Sequence, residues 1–222
     1  MKKIIFVTYG GGHMKIIEPI AKKLQNMSID FQILALTTAY PYLKEAIGKE
    51  NVKQISDYMF LFEKNEKTIQ DLGVQYLPDN YNINSPISKK ETINYIGLSF
   101  FDLINQHGLN QAENLYNEKK RQAFLPIKTM ETILNYEKPN IVATTSSPRF
   151  EQASLIAAKN LNITNLQILD LFSDLSPLPE SDHIVIMNES VKKGLLNRGL
   201  TNKNYHILGQ PALEETHRKA SS

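Results

Sequence analysis

The opening of the chain leaves few folds available to it. Lys2 and Lys3 lead into the apolar, β-branched run Ile4-Ile5-Phe6-Val7-Thr8, short enough for a strand buried on both faces. Gly10, Gly11 and Gly12 break that run, and His13 follows at once. Ile16, Ile17, Ile20, Ala21 and Leu24 then recur at helical spacing, with Lys15, Glu18, Lys22 and Lys23 on the opposite side. Strand, glycine turn and helix form the first unit of a doubly wound α/β domain, whose ligand crevice lies outside the carboxyl ends of its strands. Glycines there adopt positive φ and let backbone N–H groups approach a ligand at a helix N-terminus. His13 is placed at the lip of that crevice, where an imidazole can exchange protons near neutral pH. A capping or merely exposed histidine is the other reading. The turn is neither G-x-G-x-x-G nor a Walker loop, since it lacks the later glycine and a Gly-Lys-Ser/Thr.

The alternation continues. Residues 30–37 read as a second strand, 43–47 as a short helical segment and 52–58 as a third strand. From Phe60 to about Asn135 it stops. Residues 60–90 have a loop composition of clustered Asn, Asp, Pro and Tyr, and are expected to be less ordered than the sheet. Ile93, Ile96, Phe100, Phe101, Leu103 and Ile104 share one helical side, widened by Tyr95 and Leu98. That side either packs on the core or a neighbouring helix, or offers an acceptor-binding or membrane-contacting face. Residues 109–122 are polar nearly all round, and Glu118-Lys119-Lys120-Arg121 reads as a solvated face. A helix through Ile127, Met130, Ile133 and Leu134 ends before Pro139. Strands then return at 140–145, 165–171, 183–187 and 205–208, with helices at 150–161 and 189–197 between them.

This pattern predicts an α/β fold: a doubly wound, mainly parallel sheet of about seven strands with a helical insertion after strand three. In the order 3-2-1-4-5, strands one and four are neighbours. The turns Gly10-Gly11-Gly12-His13 and Thr145-Ser146-Ser147-Pro148-Arg149 then face one crevice, with two helix N-termini aimed into it. No carboxylate follows the second strand at Leu36-Thr37-Thr38, so tight binding of NAD or ATP is not expected.

Composition narrows the chemistry. The 222 residues carry a net charge of only +2, which gives no electrostatic argument for nucleic acid. There is no cysteine, which excludes thiolate chemistry and cysteine-built zinc sites. The five histidines are scattered without H-E-x-x-H spacing, so no metal site is expected. The first strand leaves no room for a signal peptide, and no apolar run approaches the ~20 residues of a membrane span, so the chain reads as cytoplasmic.

Four features together carry a resemblance: the Gly-Gly-Gly-His turn, Pro19 in the first helix, the strand-Ser-Ser-Pro-Arg-helix unit leading to Asp170, and the close. The close runs from a strand through Glu189, Lys192, Leu195 and Arg198-Gly199 to a last strand and Gly209-Gln210-Pro211. This set resembles the N-terminal half of the GT-B glycosyltransferases, in particular the MurG-like and glucuronosyltransferase-like groups, and the related UDP-N-acetylglucosamine 2-epimerases. MurG-like enzymes place the proline three residues after the histidine, whereas Pro19 stands six after His13. The 2-epimerases have the wider spacing but an acidic residue in the turn, so the chain mixes the two patterns.

The resemblance implies a Rossmann-like, acceptor-side domain over residues 1–211. Residues 212–222 form a tail or the start of a linker to a second domain, in cis or on a partner subunit. It implies a glycosyltransferase of cell-envelope or polysaccharide assembly, inactive as this chain alone, with a nucleotide-sugar as co-substrate and no other cofactor. The acceptor is a sugar or a lipid-linked glycan, and contact with a membrane surface would make the protein membrane-peripheral. Half of a UDP-sugar 2-epimerase or hydrolase, or a non-catalytic sugar- or anion-binding module, are the alternatives. Glycosyl transfer needs a base for the acceptor hydroxyl and N–H-rich or positive groups for the departing diphosphate. His13 is the candidate base. Asp170 is the candidate carboxylate to orient it, with a cap on the following loop as the other reading. Gly10, Gly11, Gly12, Thr145, Ser146 and Ser147 are the candidate substrate-binding residues. Arg149 joins them as a partner for an anionic group, or else makes a surface salt bridge.

Overall fold

A computed structural model describes residues 2–169 and 178–213. Seven strands form one all-parallel sheet: β1 (Ile4–Thr8), β2 (Phe31–Ala35), β3 (Val52–Lys53), β4 (Ile141–Thr144), β5 (Thr164–Ile168), β6 (His183–Ile186) and β7 (Asn204–Ile207). Their order is β3-β2-β1-β4-β5-β6-β7, with Ile4 opposite both Phe31 and Ile141. The expected order around strand one is the observed one, and it makes the β1–β4 boundary the point where the winding reverses.

Alternation along the strands decides what covers each face. Phe6, Ile33, Ala35 and Ala143 pack against α1 (Gly12–Asn26) and α2 (Ala39–Ile47), through Ile16, Ile17, Ala21, Leu43 and Ile47. Ile5, Val7, Leu34 and Val142 point the other way. There they meet the inserted helices α3 (Glu66–Gln75), α4 (Lys89–His107), α5 (Leu109–Lys119) and α6 (Ile127–Glu137), together with α7 (Phe150–Asn160). Farther along, Ile184 and Ile186 of β6 pack against Val191 and Leu195 of α8 (Glu189–Asn197). Strands covered on both sides read as continuous apolar runs, and the first strand does. Among the described residues, no helix is long and apolar enough to cross a membrane.

The insertion departs from the sequence-based expectation in three places. The third strand is only Val52–Lys53, and a 3-10 segment takes over at Ile55–Asn65. The expected loop at 60–90 is largely helical, with α3 burying Ile69, Leu72 and Gly73 and only residues 76–88 lying outside helices. The physical reason is a close backbone approach. A Cβ on Gly73 would lie 2.1 Å from the Ile93 carbonyl oxygen, and one on Gly97 would lie 2.0 Å from that of Ile69. Helices α3 and α4 meet through these glycines, which carry no hydropathy signal. Lastly, α5 is not polar all round. It buries Ala112 and Tyr116, and Tyr116 packs with Tyr76, Phe100 and Phe124 in an aromatic cluster. The apolar side of α4 is core: Tyr95, Ile96, Leu98, Phe100 and Leu103 are all buried.

Two buried carboxylates pin the insertion to the sheet. Glu137, at the end of α6, accepts from Lys53 Nζ at 3.0 Å and Tyr58 Oη at 2.7 Å and pairs with Lys3, so it ties β3 and the start of β1 to the 3-10 segment. Glu91 stands three residues after the α4 N-cap Ser88, whose hydroxyl accepts from Glu91 N. Its own carboxylate accepts from the backbone N–H groups of Ile55 and Ser56 at 3.0 and 2.9 Å. Burial pushes the Glu91 carboxyl up from 4.5 to about 7, although these bonds to Ser56 and Ile55 pull it down. The folded chain therefore holds a proton on Glu91 that the unfolded chain has released. The associated stability is fully present below pH 4.5 and lost as pH rises through about 7. A shift of this size is worth on the order of 3 kcal/mol. Urea unfolding from about pH 4 to about pH 8 should show the parent losing that amount relative to Glu91→Gln. Parallel profiles for the two proteins would assign the titration elsewhere.

Candidate functional site

The turn after β1 is shaped by glycine for steric reasons. A Cβ on Gly10 would stand 1.8 Å from Thr38 Oγ1, so the turn can lie this close to the N-terminus of α2 only without a side chain. Gly11 has φ 72 and ψ −135, a backbone shape that side chains resist. A Cβ at Gly11 or Gly12 would meet nothing within 4 Å, so both face open space. His13 lies in the first turn of α1, half-buried.

The turn after β4 repeats the shape. Arg149, immediately before α7, has φ 66 and ψ −118, close to the values at Gly11. For a non-glycine residue this conformation costs on the order of 1–3 kcal/mol and persists only where the surroundings enforce it. What enforces it is visible. The Arg149 guanidinium lies 4.8 Å from the centre of the Tyr9 ring, and its Nε donates to Tyr9 Oη at 3.4 Å. Tyr9 is buried, and its hydroxyl is 2.7 Å from that of Tyr95 on α4. The two turns, predicted to share one crevice, are adjacent through the β1–β4 pairing.

A residue that the sequence reading did not single out joins them. Glu151, in the first turn of α7, is fully buried. Its Oε1 accepts from Tyr9 N at 2.9 Å, and its Oε2 accepts from Ser147 N at 3.1 Å and Thr145 Oγ1 at 2.6 Å. Thr145 Oγ1 also lies 2.8 Å from His13 Nδ1. A hydroxyl has one proton, and here it is committed to the carboxylate, so Nδ1 of His13 must be the donor to Thr145. The lone pair of the neutral imidazole is then on Nε2. Burial raises the Glu151 carboxyl above its ordinary value, against the opposing pull of His13, Thr145 and the N–H groups of Tyr9 and Ser147.

The arrangement Glu151–Thr145–His13 gives the imidazole a hydrogen-bonded partner on Nδ1, with a buried carboxyl group two hydrogen bonds away. The expected orienting carboxylate, Asp170, lies outside the described residues. Glu151 had one sequence signal, an acid two residues after Arg149, but such acids commonly serve the helix dipole. Ser146 lies in the same turn, half-buried. Among the described residues, no group of three or more His, Cys, Asp or Glu is placed to hold a metal ion.

No protein-family model matches the chain. No curated protein matches it either. Solved structures do. The UDP-GlcNAc 2-epimerase of Methanocaldococcus jannaschii, in complex with UDP-GlcNAc and UDP, aligns over 100% of this chain and 51% of its own, at 16% identity and a TM-score of 0.53. The S. aureus MnaA–UDP co-structure aligns over 98% of this chain and 47% of its own, at 14% identity and a TM-score of 0.54. MurG of Acinetobacter baumannii aligns over 86% and 42%, at 15% identity and a TM-score of 0.47, which is too loose to weigh. The chain thus spans about half the length of the structures it matches. At these identities the likeness is one of fold, and the fold is that of a GT-B-like, N-terminal half.

Proposed function

We propose that the chain is the acceptor-binding half of a glycosyltransferase of the GT-B type, with His13 as the general base. The observation that carries this reading is the hydrogen-bonded line from buried Glu151 through Thr145 to His13, at the carboxyl edge where β1 and β4 meet. In the proposed reaction the acceptor hydroxyl gives its proton to His13 Nε2 as its oxygen attacks the anomeric carbon of the donor sugar. The bond from that carbon to the nucleotide diphosphate breaks, and the diphosphate leaves with the electron pair. Thr145, itself bonded to Glu151, holds the imidazole by Nδ1. The open faces of Gly11 and Gly12 admit the acceptor close to the α1 N-terminus. A second domain, in the same chain or on a partner, supplies the nucleotide-sugar.

Several of the matched structures support a second reading, since they are UDP-GlcNAc 2-epimerases with TM-scores of 0.51 to 0.53. Product analysis separates the two. The complete protein, incubated with a UDP-sugar, should form a glycosidic product only when an acceptor is supplied, and this chain alone should form little or none. An epimerised sugar appearing without acceptor would establish the epimerase reading. Robust transfer by the isolated chain would refute the division into two halves.

A further inference from the structure

The insertion between β3 and β4 brings charge to the same end of the molecule as Arg149. Lys119 ends α5, and Lys120 and Arg121 open a short 3-10 turn after it. The sequence alone presents these cations as a solvated face. In the structure they line a concavity of about 690 Å³ with Arg149, over a floor of Asn80 and Tyr116. Asp79 is the one carboxylate among the lining residues, and it lies 3.8 Å from Lys120 Nζ. The floor is rigid. Tyr116 is buried in the aromatic cluster, and its hydroxyl accepts from Asn80 Nδ2 at 2.7 Å.

Two further observations favour a ligand over a solvated patch. Lys120 has φ 51 and ψ −137, so two of the four cations, Lys120 and Arg149, sit in backbone conformations that cost free energy. Arg121 and Arg149 also converge. Arg149 reaches the Tyr9 hydroxyl that bonds Tyr95, and Arg121 lines a second, smaller cavity with Tyr95, Glu91 and Thr37 of the β2 turn. Four cations around one concavity repel each other, and an anion entering it relieves that repulsion. Guanidinium groups match phosphate oxygens in paired hydrogen bonds, with ammonium groups adding point charges.

We infer that this cavity binds a phosphate or diphosphate group carried by the acceptor, held by Arg121 and Arg149 with Lys119 and Lys120. The assignment to an acceptor rests on the transferase reading, whereas the anion site does not. Isothermal titration of this chain with inorganic pyrophosphate should give saturable binding that weakens as salt rises. The Lys120→Gln/Arg121→Gln double variant should lose affinity about tenfold or more, while His13→Ala leaves it unchanged. Lys120→Glu, at a largely exposed side chain, serves as a second variant and should weaken binding without affecting folding. No saturable binding at millimolar pyrophosphate, or equal binding by both variants and the parent, would overturn the inference. Sedimentation with phosphatidylcholine vesicles containing about one-fifth phosphatidic acid identifies the source. Capture that the double variant abolishes points to a lipid-borne phosphate. Pyrophosphate binding without capture points to a soluble phosphorylated acceptor. Pyrophosphate binding by a protein that proves to be an epimerase would leave the site standing and remove the transferase. Acceptor-dependent transfer without pyrophosphate binding would do the reverse.

Discussion

On the transferase reading, His13→Ala should slow sugar transfer by the complete protein by about 10²–10⁴-fold, the usual contribution of a positioned base. The same change should move the melting temperature of this chain by only about 2 °C, because His13 is half-buried and stands at an open crevice. Thr145→Val tests the relay without removing the imidazole. It deletes the hydroxyl between Glu151 and His13 and leaves the volume nearly unchanged. A base whose tautomer is no longer set should show a lower kcat and a displaced limb in its pH–rate profile. Activity of His13→Ala within about threefold of the parent would remove the histidine from the mechanism.

Gly97→Ala should be, with Gly73→Ala, among the most damaging single-methyl changes in the insertion. The new Cβ would be placed 2.0 Å from the Ile69 carbonyl oxygen and 2.9 Å from its carbon, both backbone atoms of a packed helix. Neither can rotate away, so α3 and α4 must separate. Overpacking of a core commonly costs 1–3 kcal/mol, and a backbone clash belongs at or beyond the upper end, about 3 kcal/mol. For a chain of this size that corresponds to a fall of roughly 6–12 °C in melting temperature. Thermal denaturation followed by circular dichroism measures it, with Gly12→Ala as the control, since its Cβ meets nothing within 4 Å. Equal melting of the two variants would show that the α3–α4 contact yields.

The sheet was legible because every strand but β3 announces itself over four or five residues. Ile4–Thr8 and Phe31–Ala35 are apolar runs bounded by turn residues, and the alternation with helices dictates a parallel order. The two crevice turns followed from that order. Glu151 could not be read the same way. Its burial exists only once Tyr9 and Thr145 meet across the β1–β4 boundary, and a local window sees a helix-starting acid. Gly73 and Gly97 were invisible for the opposite reason: their contribution is the absence of atoms, so α3 read as loop. The run Lys119-Lys120-Arg121 showed its charge, but whether a charged stretch is convex or concave depends on the fold beneath it. Here the aromatic cluster around Tyr116 sets that curvature.

The position of β1 has a consequence for how the chain acquires its shape. Its two neighbours arrive at very different times: β2 begins at Phe31, and β4 begins only at Ile141, after the whole of α3 to α6. Until β4 has been made, one side of β1 is an unpaired, apolar edge, open to other chains. Closing the β1–β4 ladder means joining positions as distant as Lys3 and Asn140, 137 residues apart in sequence. Such distant pairings are slow to form, because the entropy of the intervening loop is lost before any contact rewards it. The crevice is therefore a late product of folding. Strand β1, already apolar and already made, must be kept from association while the ribosome completes the insertion.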